Sequence, residues 1–202
     1  MTKKEIIWRE IIEKTAQKEQ LKFTQKDLAK KFGFSLSTIF NALKIPRLLG
    51  AIKVGGRSFS VIDLEKFLYI WATNRNLDKE KIYETHVPKA PKEIEGLLPA
   101  ETIFGAYSAY CKKYSDTPAD YDKVYVYANP ATLAEIKKRF PKVKGYANLF
   151  VLKSNPSLDR FGAVTPDVQT FVDLWNLKDW YVKDYLNEIK KKNPELNVYL
   201  EV

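Results

Sequence analysis

The chain has 202 residues, and its 45% hydrophobic content supports one or two folded domains. The 34 Lys and Arg residues against 25 Asp and Glu residues give a net charge of +9, which favours a polyanionic partner. A single cysteine and a single histidine exclude an intramolecular disulfide and argue against zinc sites, and no apolar run is long enough to span a membrane.

Apolar residues at helical spacing predict a first helix over residues 3–18, and residues 23–44 then have the pattern of a helix-turn-helix. Thr24 is placed to cap the first helix of the pair, and Gly33 stands where the chain must reverse through a left-handed conformation. Ser35 is placed to cap the second helix. The residues predicted to face inward are Leu28, Ala29 and Phe32 in the first helix and Ile39, Ala42 and Leu43 in the second.

A β-hairpin is predicted after the helix pair. The runs 52–54 and 58–62 are rich in Ile, Val and Phe, and Gly55-Gly56-Arg57 between them suits a tight turn. Residues 45–50 are expected to be a connector, and Asp63 is placed to cap a further helix. The order helix, helix, turn, helix, hairpin, helix predicts a winged helix over about the first 75 residues.

Basic residues are concentrated in the predicted winged helix. Residues 21–60 contain eight Lys or Arg residues and one acid, Asp27. Residues 1–85 have a net charge of +7, against +2 for residues 86–202. A lysine-rich surface kept for solubility would contain interspersed acids, so the pattern indicates a DNA duplex as the partner.

Ten side chains are the candidate DNA contacts. Thr24 and Gln25 are expected to position the DNA backbone. The residues expected to read base edges are Ser35, Ser37, Thr38 and Asn41, the last of which can pair with adenine. The expected phosphate contacts are Lys44, Arg47, Lys53 and Arg57. Phe40 leaves two alternatives, a contact with a thymine methyl group or packing against the hairpin, and packing is favoured.

A second domain is predicted beyond a boundary near residues 74–98, which gives domains of residues 1–85 and 86–202. The predicted elements are a helix over 99–114, a strand over 123–127, a helix from Pro130 to about Phe140 capped by Asn129, a strand over 146–152, a helix capped by Thr165, a basic-faced helix over 178–192 and a closing strand over 196–200. This mixture predicts a small α+β domain, so the expected fold class of the whole chain is α+β.

Two segments of the second domain carry a family resemblance. The first is Phe104-Gly105-Ala106-Tyr107-Ser108-Ala109-Tyr110, and the second is a Thr165-Pro166 turn followed by a helix that contains Gln169 and Asp173-Leu174. With the winged helix before them, they resemble antitoxins of the AbiEi type, from type IV toxin–antitoxin systems, and the transcriptional regulators related to them. The resemblance implies a repressor that binds its own promoter through the winged helix and carries a partner- or antitoxin-related C-terminal domain.

Enzyme functions fit the residues less well. Pro166-Asp167 and Glu188-Ile189-Lys190 match a restriction-type nuclease in letters and order, but both lie in segments with helical patterns, whereas that site needs strands. No Gly-Ser followed by paired acids suggests a nucleotidyltransferase, and no phosphate-binding glycine loop is present. We therefore expect neither an enzyme nor a bound cofactor or metal.

Aromatic residues are abundant in the second domain, where they could line a ligand pocket or, as is more common, form core and subunit contacts. They are Tyr107, Tyr110, Tyr114, Tyr121, Tyr125, Tyr127, Trp175, Trp180 and Tyr181. The sequence thus predicts a cytoplasmic DNA-binding transcriptional regulator without a signal peptide. Its second domain is expected to contact a toxin or another protein, to sense an effector, or to dimerise with a second copy of the chain. The alternatives are a protein–protein module that uses the winged helix as a scaffold and a nucleic-acid-processing enzyme.

Overall fold

A computed structural model describes residues 1–197 of the chain and shows a mixed α+β fold. Within these residues the chain forms nine α-helices, three short 3₁₀ helices and two small sheets. It divides into two compact units. Of the described residues, the N-terminal unit comprises 2–75 and 190–197, and the central unit comprises Met1 and residues 76–189.

This division differs at both ends from the expected domains of residues 1–85 and 86–202. The strand Lys81–Thr85 pairs with the strand Leu149–Lys153 of the central unit. Residues 190–197 belong to the N-terminal unit, where the Lys190 ammonium donates to Glu65 Oε1 at 2.6 Å and to the Tyr69 hydroxyl at 3.2 Å.

The N-terminal unit contains four helices that begin within residues 3–74, and a three-stranded sheet. The elements in chain order are α1 (Lys3–Ala16), β1 (Lys22–Phe23), α2 (Gln25–Phe32), α3 (Leu36–Leu48), β2 (Ile52–Gly55), β3 (Ser58–Val61) and α4 (Leu64–Asn74). The three predicted helix caps are confirmed, because Thr24, Ser35 and Asp63 each accept a hydrogen bond from the backbone N–H three residues later. Gly33 has φ of 64°, as the predicted reversal requires.

Helix α3 is longer than predicted. The expected connector over residues 45–50 was wrong for its first four residues, because the helix continues through Pro46 and ends at Leu48. A proline inside a helix has no N–H for the carbonyl four residues earlier, here that of Ala42. The buried Trp8 of α1 supplies the missing donor, since its Nε1–H donates to the Ala42 carbonyl oxygen at 2.8 Å.

The hairpin lies where the sequence predicts it, and a third strand pairs with it. Strands β2 and β3 pair antiparallel and Gly55 lies opposite Ser58, so that Gly56 and Arg57 form the turn. Gly56 has φ of 59°, which a side chain rarely adopts. Strand β1, which the sequence pattern did not predict, pairs with the outer side of β3 and completes a sheet of order β1-β3-β2.

The central unit is built around a four-stranded sheet. Its elements are β4 (Lys81–Thr85), α5 (Pro91–Leu97), β5 (Ile103–Gly105), α6 (Ala106–Tyr114), β6 (Val124–Ala128), α7 (Pro130–Arg139), β7 (Leu149–Lys153), α8 (Asp167–Trp175) and the start of α9 (Val182–Lys192). The strand order is β4-β7-β6-β5, with β6 and β7 parallel and the other pairs antiparallel. Val126 and Val151 share a buried core with Ile94 of α5 and Ile136 of α7.

Three predicted elements of this region need correction in their type or cap. Two others begin later than predicted, the strand over 146–152 at Leu149 and the helix over 178–192 at Val182. The single helix expected over residues 99–114 is a strand followed by a helix, because residues 103–105 pair with β6 and Gly105 lies so close to the Tyr127 ring that a Cβ there would stand 3.0 Å from it. Thr165 does not cap α8, which begins at Asp167, and its hydroxyl instead lies 2.7 Å from that of Thr170.

The third correction concerns the closing strand expected over residues 196–200. Leu196 and Asn197 belong to the 3₁₀ helix Pro194–Asn197, and the other three positions lie outside the described residues. The strand over 123–127 and the helix capped by Asn129 are confirmed, each within one residue.

Candidate nucleic-acid interface

The two units differ in net charge. In the sequence, residues 2–75 and 190–202 together have 18 Lys and Arg residues against nine Asp and Glu residues. Residues 76–189 of the central unit have 16 of each. The positive net charge of the chain therefore lies in the N-terminal unit, which contains all ten candidate residues.

The hydroxyl candidates lie at the starts of α2 and α3 and are engaged in capping. Thr24 accepts from the Asp27 N–H at 3.1 Å and donates to the Asp27 carboxylate at 2.7 Å. Ser35 accepts from the Thr38 N–H at 3.2 Å, and its hydroxyl lies 2.9 Å from those of both Ser37 and Thr38. These contacts fix the helix starts, so a base contact by Ser35 would compete with its cap.

Asn41 and three of the candidate cations have side chains exposed to solvent. Asn41, Lys44 and Arg47 are exposed on α3, and Arg57 is exposed at the turn of the hairpin. The Lys44 ammonium lies 5.3 Å from the centre of the Phe40 ring, within cation–π range. The structure thus orients one amide and three cations toward solvent.

A single groove brings four of the ten candidates together. It lies between α3 and the hairpin, has a volume of about 550 Å³, and includes Gln25, Lys44, Arg47 and Arg57 in its lining. The remaining lining residues are mainly apolar, with Phe40 47% exposed. Phe40 is therefore only half covered, although it lines the groove together with residues of the hairpin.

Lys53 lies on a different surface, with a basic residue that sequence reasoning missed. Lys22 of β1 and Lys53 of β2 are both in register with Ser60 of β3, so the two lysines flank it on one face of the sheet. A depression of about 200 Å³ is lined by both. Lys22 could be found only after β1 was known to pair with the hairpin, because a two-residue strand leaves no periodic signal.

One lysine of the basic segment is neutralised by tertiary structure. The Lys31 ammonium of α2 forms an ion pair with Glu10 of α1, whose side chain is buried. The count of eight cations in residues 21–60 thus overstates the charge available to a ligand. Lys26 and Lys30 are exposed on the same helix.

The residues considered for nuclease chemistry do not form such a site. Asp167 is the first residue of α8 and forms an ion pair with Lys113, while Glu188 lies in α9, so neither is on a strand. Among the described residues, no group of three or more His, Cys, Asp or Glu side chains is arranged to hold a metal ion.

The tyrosines of the central unit are mainly core. Tyr107 and Tyr185 are fully buried, with ring centres 4.9 Å apart, and their hydroxyls donate to Asp179 and to the Ala119 carbonyl. Burial raises the pKa of the neighbouring Cys111 thiol, which disfavours a reactive thiolate. The exposed aromatic residues of this unit are Tyr146, Trp175 and Trp180, and Trp180 is 82% exposed.

No protein-family model matches the chain, and neither a curated protein nor a solved structure matches it. Of the helices in the described part, none is both long and apolar enough to cross a bilayer.

Proposed function

We propose that the chain is a sequence-specific, double-stranded DNA-binding transcriptional regulator of the cytoplasm, with a winged helix as its N-terminal unit. The observation that carries this proposal is the segregation of net charge: the positive net charge lies in the unit with the helix pair and hairpin, and residues 76–189 have none. A polyanion attracts such a unit and leaves the neutral unit available for other contacts.

The element order supports a particular docking mode. Helix α3 would enter the major groove, with Asn41 directed at base edges and Lys44 and Arg47 at flanking phosphates. The hairpin would follow the adjacent backbone through Arg57 and Lys53. Ser35 would act mainly by fixing the start of α3, because its hydroxyl is engaged with Thr38 and Ser37.

The central unit would contact a protein partner or a second copy of the chain. It has no net charge over residues 76–189, and Trp180 is 82% exposed. Tryptophan is among the residues enriched at protein interfaces. The resemblance to AbiEi-type antitoxins supports an autoregulating, antitoxin-like repressor, which makes the upstream DNA of its own gene the first operator to test.

The test is the affinity of the full chain for that DNA and for a scrambled duplex, measured across a salt series. A regulator should bind its operator more tightly than the scrambled duplex, with an affinity that falls steeply as salt rises. The slope of log affinity against log salt is negative. Each phosphate that the protein no longer neutralises should reduce the magnitude of this slope by about 0.9. The quadruple variant is Lys44→Gln, Arg47→Gln, Lys53→Gln and Arg57→Gln, and its slope should fall by about 3 to 4.

A matched control removes the same charge from the central unit. Its four exposed lysines for substitution by Gln are Lys137, Lys138, Lys144 and Lys153. This variant should keep the slope of the unmodified chain. Equal decreases of the slope in both variants would show unspecific electrostatic attraction, and weak, equal binding of the two duplexes by the unmodified chain would refute the regulator.

A further inference from the structure

The groove between α3 and the hairpin has the size and lining of a small-molecule site. Its volume of about 550 Å³ lies within the range of about 300 to 1,000 Å³ that is usual for ligand pockets. Its apolar wall is formed from both elements by Phe40, Leu43, Leu48, Ile52, Val54 and Phe59. The groove is therefore concave and apolar, whereas a surface that only bound DNA would need polar groups and cations.

Cations surround this apolar wall. Lys44, Arg47 and Arg57 line the groove with the polar Gln25 and Ser58, and no Asp or Glu residue is among its lining residues. Two of the three cations are arginines, whose planar guanidinium groups can bind a carboxylate or phosphate through two parallel hydrogen bonds. The electrostatics of the groove thus select for an anionic head group.

DNA alone would leave much of the apolar wall without a partner. In the proposed docking mode the duplex presents phosphates, sugars and polar base edges, and its main apolar group is the thymine methyl. Yet Leu48 is 83% exposed and Val54 is 44% exposed, on opposite sides of the groove. A ligand with an apolar body would bury these side chains, and removing their apolar surface from water would favour binding.

We propose that this groove binds a small amphipathic anion: a carboxylate or phosphate ester on an aliphatic or aromatic body. The apolar body would lie against Phe40 and Val54, and the anionic head would pair with Arg47 and Arg57. The binding itself is independent of DNA recognition. Its consequence rests on the proposed function, since the ligand and DNA would compete for the same cations and the ligand would release the regulator from its operator.

Octanoate is a suitable first probe, with 1-octanol as the uncharged probe of the same chain length. The ¹⁵N-labelled full chain would be titrated with each compound while amide chemical shifts are followed. We expect saturable shifts confined to α2, α3 and the hairpin, whose residues line the groove. Octanoate should bind about tenfold more tightly than 1-octanol, as one charged hydrogen bond provides. Equal affinity for the two compounds, or shifts spread over both units, would overturn the proposal.

Two variants separate the head-group contact from the apolar contact. Arg57 lies in an exposed turn, so the Arg57→Gln variant should retain the fold. This variant should bind octanoate about tenfold more weakly, which is the usual effect of losing one charged hydrogen bond. Val54→Trp fills the groove from an exposed strand position and should abolish binding. Lys137→Gln in α7 is the control and should bind octanoate normally. Unchanged affinity in the Arg57→Gln variant would refute the site.

A final measurement distinguishes the two proposals. Saturating octanoate should lower operator affinity in the unmodified chain but not in a Val54→Trp chain that still binds DNA. If the chain binds octanoate in the groove and no DNA at all, the ligand site stands and the regulator is refuted. If it binds DNA and not octanoate, only the ligand site is refuted.

Discussion

Trp8 supplies a hydrogen bond that α3 cannot make for itself, and this dependence can be measured. Pro46 has no N–H, so the Ala42 carbonyl lacks its helical donor, and the Trp8 indole donates to it at 2.8 Å. Trp8 and Ala42 are both buried, so water does not replace a missing donor. The substitution Trp8→Phe therefore leaves an unsatisfied buried acceptor.

The size of the effect follows from this burial. A buried carbonyl left without a donor costs about 1 to 3 kcal/mol. Trp8→Phe also removes packing, because the indole contacts the Phe67 ring edge-on, with 6.0 Å between the ring centres. A double-mutant cycle with Pro46→Ala separates the two terms, since an alanine there would provide its own N–H to the Ala42 carbonyl. We expect Trp8→Phe to cost about 1 to 2 kcal/mol less in the Pro46→Ala background than in the unmodified chain.

The free energy of unfolding should be measured with urea for all four members of the cycle. NMR signals from residues of α1 and α4 should report the transition, because the two units need not unfold together. Far-ultraviolet circular dichroism provides a second probe that does not depend on tryptophan fluorescence. Equal costs of Trp8→Phe in both backgrounds would refute the compensation, even if each single cost were large.

Two further predictions concern the N-terminal unit, and one of them uses a control from the central unit. Burial by itself would raise the pKa of the Glu5 carboxyl, but the Arg75 guanidinium at 2.9 Å and the Thr2 backbone N–H outweigh it and hold the pKa below its ordinary value of 4.5. The ion pair should therefore stabilise the unit fully above pH 4.5 and less as the pH falls below it, so the stability gap between the unmodified chain and Glu5→Gln, measured by urea unfolding, should narrow in acid. A gap that stays constant from about pH 7 to about pH 3 would contradict this assignment. Gly33→Ala should cost about 1 kcal/mol, because φ is 64° there while nothing lies within 4 Å of the added Cβ. Gly96→Ala in α5 meets equally open space without a positive φ and should be neutral or stabilising in the same thermal or urea assay. Equal effects at the two glycines would show that backbone conformation is not the cause.

Local chemistry made much of the N-terminal unit predictable. Thr24, Ser35 and Asp63 cap helices through contacts within three residues, and Gly33 reverses the chain through its own φ. Such features depend on nearest neighbours in the chain. They therefore identified the helix pair, the hairpin and most of the candidate DNA contacts.

Long-range contacts decided what the pattern missed. Pro46 predicts the end of a helix, because it has no N–H to donate. The helix continues because Trp8, far earlier in the chain, donates to the Ala42 carbonyl instead. Residues 103–105 begin a run of apolar residues at helical spacing that continues to Cys111, and their pairing with β6 makes them a strand instead. Lys31 is counted as a free cation in the sequence, although Glu10 neutralises it.

The sequence by itself determined the fold class, the helix starts and the basic character of the N-terminal half, because each depends on composition or on residues a few positions apart. Only the tertiary structure returned Lys190 to the first unit and left residues 76–189 without net charge. Only the tertiary structure brought Phe40, Val54 and Arg57 together in the lining of one groove. These features depend on which distant surfaces pack together, and that is set by the burial of apolar area over the whole chain rather than by local spacing.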